Sequence, residues 1–195
     1  EQERVKENVG SQDQAAAAFG GFNTIKFGGQ NHIEVHPVKI DADKLKYFED
    51  HIMLFFTGLA RNASEVAAEQ VRLTPGKTKE LETMRKMVDA AVSLLRKGNL
   101  EEFGKLLHES WQIKRTLSSR ISNDLIDEIY MEGKRAGALG GKLLGAGSGG
   151  FMMFFVRPEE QARVKEKLNK LLYVPVRFEK SGSQIIFNST QIHAS

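Results

Sequence analysis

The chain has 195 residues, of which 41% are hydrophobic and 27% charged, the composition of an ordinary globular protein with material for one good core. Its 28 basic and 25 acidic residues are interspersed and leave a net charge of +3, so no charged tract points to nucleic acid, and no apolar run approaches the ~20 residues of a membrane helix. The sequence has no cysteine, which excludes disulfides and thiol catalysis and suits a reducing, cytoplasmic setting.

The chain opens Glu1-Gln-Glu-Arg-Val-Lys-Glu7 with neither an initiator methionine nor a signal peptide, and reads as the C-terminal part of a longer protein entered in a charged helix. A turn over Asn8–Gln14 leads into Ala15–Phe19, strong helix formers stopped by Gly20-Gly21. Phe22–Phe27 and His32–Val38 flank Gly28-Gly-Gln-Asn31 and predict a β-hairpin, with Pro37 confining the second strand to an edge or to its own end. Ile40–Asp50 is mostly polar and reads as a boundary, dividing the chain into residues 1–42 and 43–195.

Ile52–Phe56 is a continuous apolar run ended by Thr57-Gly58 and predicts a central strand. A helix is expected over Arg61–Arg72. The clearest one spans Lys79–Lys97, where Leu81, Met84, Met87, Val88, Ala91, Leu94 and Leu95 recur at three and four; Gly98 closes it. Asn99 suits the cap of the next, Leu100 to about Lys114, and Ser122 or Asn123 the cap of a further one. After a strand at Phe151–Val156, Pro158 opens a helix to about Leu172, and Tyr173–Phe178 and Ser183–Phe187 read as the last strands. The fold class is α+β, close to a ferredoxin-like plan with helices inserted after its first strand.

The stretch Gly137-Ala-Leu-Gly-Gly-Lys142-Leu-Leu-Gly-Ala-Gly-Ser-Gly-Gly150 is the densest in glycine, placed between a helix and a buried strand. Glycine-rich backbone of this kind gives access to positive φ, and successive free N–H groups form a concavity for anions. Rossmann and Walker loops follow a strand and open a helix, the reverse order. From position alone the stretch is either an anion loop or a tight helix-to-strand turn.

Lys142-Leu-Leu-Gly-Ala-Gly-Ser-Gly-Gly150 resembles the third motif of the GHMP kinases, the superfamily of galactokinase, homoserine kinase and mevalonate kinase. Gly10-Ser-Gln-Asp-Gln14, followed by a short helix and a hairpin, is similar to the segment of its sugar-kinase branch that carries the catalytic aspartate. Within that branch Asn8–Gln14, Phe56–Ala63 and Gly140–Gly147 look closest to bacterial D-glycero-α-D-manno-heptose 7-phosphate kinases. The resemblance implies a ferredoxin-like GHMP kinase C-terminal domain preceded by a helix and hairpin left from the N-terminal domain. It implies ATP and Mg2+, although no stretch here matches the superfamily's Gly-Ser-rich ATP loop, so an N-terminal half is expected as the missing partner. Kinase turnover is not expected of these residues alone.

The resemblance makes Asp13 the base that orients or deprotonates the sugar hydroxyl, whereas position alone makes it a helix cap ahead of Ala15–Ala18. It makes Gly145, Ala146, Gly147, Ser148, Gly149 and Gly150 a substrate and phosphate loop. A sugar phosphate needs a further cation. Arg61, just after a strand end, is the first candidate, because its planar fork suits phosphate; Lys114 and Arg115 follow. Lys142 is either a cation for the loop or a lysine favoured by a helix C-terminus. His32 and His36 read as solvent-facing, Met84, Met87, Met152 and Met153 as core fillers, and Trp111 as a core residue whose indole N–H seeks a partner. The alternatives are a non-catalytic ferredoxin-like binding or oligomerisation module, or a kinase for galactose, fucose or mevalonate.

Overall fold

The computed structural model describes residues 10–28, 32–59 and 63–187. They form two compact units, one over Lys39–Arg177 and one joining residues 10–38 to the chain after Arg177. The tail from Phe178 groups with residues 10–38.

In the larger unit α2 (Ala42–Asp50) precedes β3 (Ile52–Phe56), after α1 (Gln12–Phe19), β1 (Asn23–Phe27) and β2 (Ile33–Pro37) of the smaller unit. Four helices follow: α3 (Ala63–Leu73), α4 (Thr78–Lys97), α5 (Leu100–Arg115) and α6 (Asp124–Arg135). The chain then returns through β4 (Gly140–Leu143), β5 (Phe151–Phe155), α7 (Gln161–Lys167) and β6 (Leu172–Val174). The sheet is antiparallel throughout, in the order β4-β5-β3-β6. That is the ferredoxin-like order, with α3–α6 as the insertion after the first strand.

Caps fall where the sequence placed them. Gly98 ends α4 in the left-handed region, Asn99 accepts from Glu102 N at 3.4 Å, and Asn123 accepts from Ile126 N at 3.0 Å. The core gathers Met53 and Phe55 of β3, Met152 and Phe154 of β5, Trp111 of α5, Ile126 and Tyr130 of α6 and Val164 of α7. The α4 stripe is less buried than its periodicity suggests: Leu95 is buried, but Leu81 and Val88 are exposed, Val88 at an apolar groove against α5. Trp111 is buried, and its indole N–H has no partner among the described residues, contrary to expectation.

The structure departs from the sequence pattern in four places. The polar run Ile40–Asp50 contains a helix, since α2 lies mostly at the surface and buries only Phe48 and Glu49. Gly140-Gly-Lys-Leu143 is a strand, which its low β-propensity conceals. A Cβ at Gly140 would strike the Gly104 carbonyl of α5, and one at Gly141 would lie 2.5 Å from Met153 O on β5. The glycines mark how closely α5 and β5 approach this strand. Ser183–Phe187 is no strand: Ile185, Ile186 and Phe187 are 85%, 97% and 74% exposed, and strand formers without a partner ladder do not make a sheet. Tyr173–Phe178 stays in the sheet only through Val174, ahead of Pro175.

The smaller unit holds α1 (Gln12–Phe19) and the antiparallel hairpin of β1 (Asn23–Phe27) and β2 (Ile33–Pro37), in register from Asn23↔Pro37 to Phe27↔Ile33. Its tail packs on α1: Ser183 N donates to Ala17 O at 3.0 Å, and a Cβ at Gly182 or Gly20 would collide across the contact. Residues 1–9, the hairpin tip at 29–31 and residues 60–62 lie outside the described residues, and with them the expected first helix.

Candidate functional site

Because Gly140–Leu143 is a strand, the glycine loop is the connection of a β-hairpin between β4 and β5, not a helix-to-strand turn. It is anchored at several points. Leu144 N donates to Phe151 O at 2.8 Å, Ser148 N to Ile121 O at 2.8 Å and Gly150 N to Leu59 O at 2.9 Å. The backbone N–H and hydroxyl of Thr57, just after β3, both donate to Gly150 O, at 2.9 and 2.8 Å. Ser148 is buried and is the only non-glycine residue at positive φ (64°) among the described residues. That costly conformation is held by its hydroxyl, which donates to Arg120 O, and by Asn123 Nδ2 donating to its carbonyl at 3.3 Å. Gly147 has φ 137°, and a Cβ there would sit 2.7 Å from Ile121 Cα.

Two further side chains reach the loop: Gln70 Nε2 donates to Ala146 O at 2.8 Å and Lys114 Nζ to Gly145 O at 2.9 Å. Among the described residues no backbone acceptor meets the N–H groups of Gly145, Ala146, Gly147 or Gly149. Among the described residues the carbonyls of Gly145, Ala146, Ser148 and Gly150 are thus engaged by the body of the unit while four amides meet no acceptor, the state an anion loop requires.

Lys142 lies mid-strand, so the helix-dipole explanation for it falls away. Alternation puts it on the face of Gly140, the side that α5 covers. Burial holds its ammonium below the usual lysine range. Lys114, near the C-terminus of α5, is pushed from 10.5 to about 8 by burial and then by the charge of Lys142. No carboxylate neutralises either amine among the described residues. Arg115, by contrast, pairs with Asp127 and reaches Gln112 Oε1 at 3.4 Å, so it is engaged internally. Arg120 is occupied by Glu69 at 2.7 Å and Glu65 at 3.6 Å. Arg61 lies outside the described residues.

Asp13 stands in the first turn of α1 and is exposed; the cap position belongs to Ser11, so the capping role expected from sequence is not the one it has. It makes no hydrogen bond or ion pair among the described residues. His36 of β2 and His32, just before that strand, flank Glu34, each with Nε2 bonded to its carboxylate, at 3.1 and 3.0 Å. Sequence reasoning placed no carboxylate there and overlooked the two-residue spacing that puts Glu34 between them. Gln70 and Thr57 were also missed: a glutamine within a helix and a threonine after a strand carry no local signal. Asn123 was legible only as a cap.

Residues 91–174 match the family model for the C-terminal part of GHMP kinases. The D-glycero-α-D-manno-heptose 7-phosphate kinase of Campylobacter jejuni subsp. jejuni serotype O:2 is 35% identical over 164 residues, covering 83% of this chain and 48% of that protein. The mevalonate kinase of Thermococcus gammatolerans is 30% identical over 162 residues, 78% of this chain and 44% of that one. The crystal structure of a D-glycero-D-manno-heptose 1-phosphate kinase from Bacteriodes thetaiotaomicron superposes with a TM-score of 0.70 at 26% identity, covering 93% of this chain and 50% of that one. The chain spans about half the length of these curated relatives.

Proposed function

The chain carries a GHMP kinase C-terminal domain, and on that premise we propose that it is the C-terminal part of an ATP-dependent sugar kinase whose acceptor is the anomeric hydroxyl of a heptose 7-phosphate. The observation that carries the choice of acceptor is the 35% identity to a heptose 7-phosphate kinase over 83% of the chain. The exposed carboxylate of Asp13, unpaired among the described residues, and the loop amides that meet no acceptor among them support the chemistry.

In the reaction the C1 oxygen of the sugar bonds to the γ-phosphorus of ATP as the bond from that phosphorus to the bridging oxygen breaks, and ADP leaves. Asp13 takes the hydroxyl proton, which requires a carboxylate not already committed to a neighbour. The loop Gly145–Gly150 supplies N–H donors to phosphate oxygen, and Lys142 and Arg61 supply charge for the phosphate that the acceptor already bears. Among the described residues no group of three His, Asp or Glu side chains is placed to hold a metal ion. The domain boundary proposed on this reading lies near residue 42, the helix and hairpin before it belonging to the N-terminal kinase domain. The product would feed nucleotide-heptose synthesis for cell-surface polysaccharide.

The test is the identity of the product. Protein expressed from the whole reading frame, given ATP and heptose 7-phosphate, should yield by 31P NMR a second phosphomonoester on the anomeric carbon while the 7-phosphate signal persists. Phosphorylation of galactose, fucose or mevalonate in preference to the heptose, or at another hydroxyl, overturns the assignment.

A further inference from the structure

The loop carbonyls are gripped by side chains that arrive from three different elements. Gln70 of α3 holds Ala146 O, Lys114 of α5 holds Gly145 O, and Asn123 at the cap of α6 holds Ser148 O. A trans peptide is planar, with the carbonyl of one residue and the N–H of the next pointing in opposite directions. Each grip therefore fixes an amide as well: Lys114 turns the N–H of Ala146 away from itself, Gln70 that of Gly147, and Asn123 that of Gly149. These are three of the four loop amides without an acceptor among the described residues. Ala146 and Gly147 are consecutive, as an anion concavity requires.

A second observation also points to an anion. Lys114 and Lys142, both half-buried, sit close enough for the charge of Lys142 to disfavour that of Lys114, and no carboxylate compensates them among the described residues. Half-buried charge without a counter-charge is costly, and an anion that joins it relieves the cost.

We propose that Gln70, Lys114 and Asn123 are positioning residues that aim the amides of Ala146, Gly147 and Gly149 at a bound phosphate group, with Lys142 as the accompanying cation. The proposal rests on the kinase reading for the source of that phosphate, but not for its binding. Free amides on a loop this rich in glycine would otherwise rotate, and the three grips remove that freedom before the ligand arrives.

Binding is tested on the 195-residue chain, uniformly 15N-labelled and titrated with inorganic phosphate at pH 7. The amide resonances of Ala146, Gly147 and Gly149 should move along one saturating curve. Gln70→Met keeps the side-chain length and removes the donor; Asn123→Ser keeps a competent helix cap and loses the reach to Ser148 O. Each should weaken phosphate about five- to tenfold while the unfolding midpoint holds. Lys114→Met should weaken it further, and Lys114→Arg should restore most of the loss. Unmoved loop amides in the wild type, or variants that bind as tightly as it does, overturn the proposal. Separate titrations with ADP and with heptose 7-phosphate identify the source, since the one that moves the same amides at lower concentration supplies the phosphate. Phosphate binding on this chain together with no heptose-dependent turnover in protein from the whole reading frame would count against the kinase reading and leave this site standing.

Discussion

At the scale of single residues, Lys114 concentrates the electrostatics of the loop. It donates to Gly145 O, lies beside Lys142, and is held near 8 by burial and by that second charge. A lysine whose folded value lies below its unfolded 10.5 favours the neutral form in the folded state. The unfolded chain therefore binds more protons between about pH 8 and 10.5, and the contribution of Lys114 to stability rises across that window. Comparing urea midpoints at pH 8 and pH 10, the wild type should gain more than Lys114→Met, whose other titrating groups are the same; equal changes would contradict the burial of this amine. Much of this was legible as residue type and little as role. The sequence drew the eye to Lys142 and the glycines, but Gln70 and Asn123 meet the loop from 76 and 25 residues away, and no local pattern records a contact of that range.

At the scale of elements, glycine carries information that propensity misreads. Gly133 sits within α6, where alanine would favour the helix by about 1 kcal/mol. A Cβ there would enter the ring of Phe154, which is fully buried. Gly133→Ala should accordingly destabilise the larger unit by about 1–3 kcal/mol, and Phe154→Leu should recover part of the loss in the double variant. A thermal midpoint for Gly133→Ala at or above that of the wild type would contradict the packing. The same logic explains which elements the sequence revealed. Helices α4, α5 and α6 have strong periodicity and explicit caps, which are local properties. Strand β4 is made of Gly140-Gly-Lys-Leu143 because α5 and β5 press on it, a tertiary cause that reads as a loop. The tail Gln184–Phe187 has strand-like residues and no ladder to join.

At the scale of the whole molecule, the ferredoxin-like plan was readable although two strands were misassigned, because the alternation of central strand, helical insertion, hairpin, helix and last strand survives the exchange. The chain spans about half the length of its curated relatives. Coupled ADP release with heptose 7-phosphate, measured on protein from the whole reading frame, on its Asp13→Asn variant and on the 195 residues alone, tests the kinase reading most directly. Sustained turnover should appear only in the first. Asp13→Asn should lower kcat by about a hundredfold or more with KM little changed, and the 195-residue chain should release no ADP above background. A variant as fast as the wild type would remove Asp13 from the chemistry, and absence of heptose-dependent turnover in the whole protein would contradict the proposed function itself.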